Sequence, residues 1–102
     1  MTDRELLELA AKAAGIELRW HPDGTAYSDS RCKGYWGVWN PIADDGDALR
    51  LAVKLKLLID GCSNCAQTME QDFGWFYGKG DEYAATRRAI VRAAAEIGNA
   101  IP

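Results

Sequence analysis

Three stretches of helical periodicity, each opened by a residue suited to capping a helix N-terminus, enclose a middle rich in aromatics and glycine. The first begins with Thr2-x-x-Glu5, a capping box in which the Thr2 hydroxyl accepts from the Glu5 amide. Leu6, Leu9, Ala10, Ala13 and Ala14 then share one side, while Glu5, Glu8 and Lys12 hold the other. Gly15 stands where a left-handed residue ends a helix. The second helix follows Asp44-Asp45-Gly46-Asp47 and is predicted to run to about Ile59, closed by Asp60-Gly61. Its main stripe is Ala48, Leu51, Ala52, Leu55 and Ile59. The third is capped by Asp81, carries Tyr83, Ile90, Val91, Ala94 and Ile97 on its apolar side, and is predicted to end at Gly98.

Strand patterns lie between the helices. Ile16-Glu17-Leu18-Arg19-Trp20 alternates strictly, which predicts a strand with one buried face. His21-Pro22-Asp23-Gly24 is turn chemistry, and a weaker strand is expected over 25–28. Tyr35-Trp36-Gly37-Val38-Trp39 is apolar without alternation, the pattern of a strand covered on both faces. From about Ala66 to Tyr77 another strand or hairpin arm is expected. The order is helix, two or three strands, helix, strand, helix. It predicts an α+β fold: one domain over residues 1–102, with a mixed or antiparallel sheet and three helices packed on its faces.

Composition narrows the function. Twelve Lys and Arg against fifteen Asp and Glu leave a net charge of −3, which argues against non-specific nucleic-acid binding. No apolar run is long enough for a membrane span, and the acidic start does not read as a signal peptide. Three cysteines, an odd number, suit reduced thiols in a cytoplasm.

The organisation resembles a family of small bacteriophage proteins built on an alpha-beta-alpha sandwich, the phage ABA sandwich family. The match lies in the short opening helix ending at Gly15, the aromatic strand, the stretch from Trp39 through Asp44-Asp45-Gly46-Asp47 to Ala48, and the closing run Arg87–Ala95. The resemblance implies a sandwich fold and a phage origin, and it brings no catalytic residues. Cys62-Ser63-Asn64-Cys65 and the dense Trp and Tyr content depart from the family pattern.

Chemistry-bearing residues are few. Cys62-x-x-Cys65 supplies two of the four ligands that zinc wants. Cys32 and His21 would complete a site if the fold brought them near, or two protomers would share four thiolates. The simpler expectation is a turn holding free, metal-free thiols, with no cofactor. With one histidine, there is a single imidazole for any nucleophile–base pair, and no such pair is legible in the spacing. Asp44, Asp45 and Asp47 are explained by capping before acid–base or metal chemistry. No enzyme is expected.

Binding is the remaining class. Seven of the ten aromatics fall in two clusters, Tyr35, Trp36 and Trp39, and Phe73, Trp75, Phe76 and Tyr77. Beside Arg31, Lys33, Lys79, Arg87 and Arg88, exposed rings would suit stacking on a base with its phosphates held by cations. Arg87 lies at the margin of the third helix's stripe, so it either snorkels outward or points into a pocket near Tyr83. Leu49, Val53 and Leu57 form a second apolar line on the second helix, a candidate homodimer interface. The expected function is a non-enzymatic phage accessory protein in the host cytoplasm. It would antagonise host defence by inhibiting a nuclease or CRISPR effector, with Asp44, Asp45 and Asp47 and the aromatics as binding residues. The alternative is a small-molecule binder that sequesters a nucleotide signal.

Overall fold

The computed structural model describes residues 2–60, 65–67, 72–74 and 82–102. Their order is α1 (Asp3–Ala14), β1 (Arg19–Trp20), β2 (Ala26–Ser28), β3 (Gly37–Val38), α2 (Asp45–Lys54), β4 (Leu58–Asp60), β5 (Cys65–Gln67), β6 (Asp72–Gly74) and α3 (Glu82–Asn99). The fold is α+β. Its described strands form two antiparallel three-stranded sheets, ordered β1-β2-β3 and β4-β5-β6.

Local chemistry sets the helix boundaries. The Thr2 side chain accepts from the Glu5 amide at 3.2 Å, and Asp44 accepts from the Asp47 amide at 2.8 Å. Each satisfies an amide that the helix itself leaves without a partner. At the far end of α1, Gly15 takes φ 70°, and the Ile16 amide reaches back to the Ala11 carbonyl at 2.9 Å. α2 closes the same way without a glycine. Lys56 takes φ 55°, and the Leu57 amide bonds the Ala52 carbonyl at 2.9 Å. In both cases the next residue, Ile16 or Leu57, packs against the core and fixes the exit.

That closure corrects the expected second helix. It stops at Lys54, and Leu58 to Asp60 form β4, so Ile59 belongs to a strand and Leu57 leaves the helical line with Leu49 and Val53. Gly98 is likewise no helix end, because α3 continues to Asn99 with Gly98 buried inside it. The aromatic strand is also shorter and barer than its composition suggests. Only Gly37 and Val38 are strand, and both are exposed, while Trp39 turns into the core at 4% exposure. Within the segment expected from about Ala66 to Tyr77, β5 and β6 pair antiparallel, and residues 68–71 and 75–77 lie outside the described residues.

α3 is the central element. It packs along α1, against α2, and against β5 and β6. Its buried residues include Ala85, Ala89, Ala93, Ala94 and Ala95, small side chains that let neighbouring elements approach from several directions. The closest approach is at Gly98, where a Cβ would lie 1.9 Å from the Leu9 carbonyl oxygen. Leu6, Leu7, Ala10, Ala11 and Ala14 of α1 and Leu51 of α2 complete the core around it, with Trp39 from the strand side.

Candidate functional site

α2 and α3 begin side by side, held by one arginine. Arg87, on the second turn of α3, donates from Nε to the Ile42 carbonyl at 2.8 Å and from Nη1 to Asp45 Oδ1 at 2.6 Å. Its side chain is only 18% exposed, so the pair with Asp45 is partly shielded from water. The guanidinium therefore neither snorkels free nor waits for a ligand. It locks the first turn of α2 to α3.

Beside this lock runs a groove of about 420 Å³, with Asp45 and Arg87 among its lining residues. Buried Ala48 and Ile90 lie at its base, while Leu49, Ile59 and Tyr83 edge it. Leu49 is 60% exposed and Tyr83 72%, a large apolar outlay for a protein of this size. Asp45 and Glu82 line the groove from the starts of α2 and α3, and with Arg87 pairing Asp45 it is the exposed Glu82 that gives the rim its acidic character. Val53 continues the apolar surface one turn along α2.

The three aspartates part company here. Asp44 is the N-cap of α2, and Asp45 joins the groove through Arg87. Asp47 is buried at 3% exposure, accepts from the Asn40 amide at 2.9 Å, and pairs with Arg50 at 2.6 Å. It ties the incoming loop to the helix and offers nothing to a partner. Arg88 turns away to Asp3 at 3.1 Å and closes α3 on the start of α1.

The aromatic candidates also separate. Trp39 is core, and the Arg19 guanidinium covers the Trp36 ring at 3.9 Å from its centroid. Tyr35 stays 76% exposed. Trp75, Tyr77 and Lys79 lie outside the described residues, as does Cys62. Cys32 is a free, exposed thiol, and His21 sits in its turn with its ring 4.5 Å from that of Tyr27. Within that turn, the Thr25 amide and hydroxyl hydrogen-bond Asp23 and hold its carboxyl below the usual range. Among the described residues no three His, Cys, Asp or Glu side chains are grouped to hold a metal ion. Nor is any described helix long and apolar enough to cross a membrane.

The sequence placed Tyr83 on the apolar stripe of the third helix and also offered a pocket near it for Arg87, and both residues line the groove. Ile59 was missed, because it reads as the end of a helix, and proline, glycine and charge gave no sign of its displacement. No family model matches the chain, and no curated protein or solved structure matches it either.

Proposed function

We propose that this protein works by binding another protein through the groove between α2 and α3, as a phage accessory factor that antagonises host defence in the host cytoplasm. The observation that carries the reading is the groove itself: exposed Leu49 and Tyr83 over a buried apolar base, rimmed by acidic groups. An apolar anchor inside a polar rim is the usual anatomy of a protein–protein contact. The acidic rim selects a basic surface. Nucleases and CRISPR effectors present such surfaces where they hold nucleic acid, which makes them the proposed targets. Among the described residues, the one cation that lines the groove, Arg87, is committed to Asp45 and the Ile42 carbonyl, and this favours binding over catalysis.

The test is phage infection of hosts carrying nuclease-based or CRISPR defence. Expression of the protein is expected to restore plaque formation against at least one such system. Leu49→Glu combined with Tyr83→Ala, both at exposed positions, should abolish that restoration with an unchanged melting temperature. Full restoration by the double variant, or no restoration against any of them, would overturn the reading.

A further inference from the structure

A second cavity opens on the hairpin side and shares no residue with the groove. β2 and β3 pair so that Ser28 stands directly opposite Gly37. Opposed residues project to the same face of a sheet, so the neighbour of Ser28 on that face is an absent side chain. A Cβ at position 37 would meet nothing within 4 Å, and the backbone there is not left-handed. The glycine is therefore not required by the chain's path. It leaves space, as glycines do where something approaches a strand closely. That space is part of a pocket of about 350 Å³, toward the lower end of the roughly 300–1,000 Å³ typical of small-ligand sites.

The lining is chemically mixed. Ser28, 5% exposed, donates its hydroxyl to Ser30 Oγ at 2.8 Å and accepts the Ser30 amide at 2.9 Å. This arrangement leaves the Ser30 hydroxyl hydrogen to donate elsewhere. Trp39 and Val38 give apolar wall. Arg31 and Tyr35 stand at the mouth, and among the described residues Arg31 makes no ion pair or hydrogen bond. With Arg19 covering Trp36, Tyr35 is the aromatic of this cluster with a largely open ring.

An open ring, an unpaired guanidinium and a spare hydroxyl in one pocket fit a ligand that is flat at one end and anionic at the other. The geometry points to a nucleoside monophosphate, or a nucleotide signal built from one, with its base on Tyr35 and its phosphate on Arg31 and Ser30. The stacking face sets ring binding, and the forked guanidinium sets phosphate binding.

Calorimetric titration with AMP, adenosine and inorganic phosphate separates the sources of affinity. AMP is expected to bind about tenfold or more tightly than either fragment, since a charge-assisted contact and a stack act together. Gly37→Leu fills the pocket and should abolish AMP binding, and Arg31→Ala should weaken it by about tenfold or more. Cys32 also lines the pocket, so its alkylation, located by peptide mass, should slow when AMP is present. The groove variant Leu49→Glu with Tyr83→Ala should bind AMP as the wild type does, which keeps this test separate from that of the protein partner. Four results would each overturn the assignment: no saturable binding of AMP, GMP, CMP or UMP at millimolar concentration, phosphate alone binding as tightly as AMP, wild-type affinity in folded Gly37→Leu, or wild-type affinity in Arg31→Ala. Should Gly37→Leu fail to fold, Cys32 protection decides, and alkylation unaffected by AMP overturns it.

Discussion

Two residues show how position overrides residue type. Gly98 reads as a helix stop in the sequence, yet it sits inside α3 because α1 crosses there at backbone distance. Gly98→Ala raises intrinsic helix propensity by about 1 kcal/mol. It also places a Cβ 1.9 Å from the Leu9 carbonyl oxygen, a backbone atom that cannot rotate aside. Overpacking of this kind costs about 1–3 kcal/mol, so the net effect is destabilising, and denaturant melts should show it. Asp47 makes the converse point. Its carboxylate was legible as a helix-start charge, but its burial depends on Asn40 arriving from the preceding loop, a contact that spacing along the chain does not encode. Asp47→Ala leaves the Asn40 amide and Arg50 without their acceptor. The expected loss is about 1.5–3 kcal/mol, read by the same melts, with groove binding retained by the folded fraction.

The helices differ in how plainly the sequence announces their ends. The Thr2 cap was legible, and the second helix's cap was legible to within the run Asp44-Asp45-Gly46-Asp47, of which the structure uses Asp44, because a capping side chain and its amide partner are three residues apart and need no tertiary context. The exit of α1 was legible for the same reason, through Gly15. The exit of α2 was not. Leu55, Leu57, Leu58 and Ile59 continue an apolar pattern, and the left-handed position is filled by Lys56 instead of glycine. A lysine there pays about 1–2 kcal/mol for its Cβ, while glycine loses part of that advantage as entropy in the unfolded chain. Lys56→Gly is therefore expected to stabilise the protein by up to about 1 kcal/mol, visible as a raised melting temperature. A fall in stability would show that the Lys56 side chain holds the turn in some other way. The consequence of this hidden ending is functional, since stopping at Lys54 is what sends Ile59 to the edge of the groove.

At the scale of the whole molecule, the class of fold followed from segment order and periodicity, while the surface followed from how α2 and α3 meet. Periodicity marks which residues are apolar, and it cannot say which of them the tertiary packing leaves uncovered. Tyr83 lies on a core-like stripe and ends 72% exposed, and of the strand pattern that reads as covered on both faces Trp39 is buried while Tyr35 ends 76% exposed. The proposed dimer interface depends on the same distinction. Leu57 has left the line to pack on the core, but Leu49 and Val53 remain 60% and 68% exposed on adjacent turns of α2. A two-fold pairing of α2 against its copy would cover both at once, since an isologous contact uses each patch twice, and the groove's protein partner would then displace that copy to reach Leu49. Light scattering at high concentration is expected to give the mass of a dimer for the wild type. Val53→Glu should give a folded monomer whose stability lies within about 0.5 kcal/mol of the wild type, because substitution at so open a site removes little packing. If the wild type is monomeric at the highest concentration reached, Leu49 and Val53 belong to the groove's partner alone, and the plaque assay with Val53→Glu then measures how far that contact extends along α2.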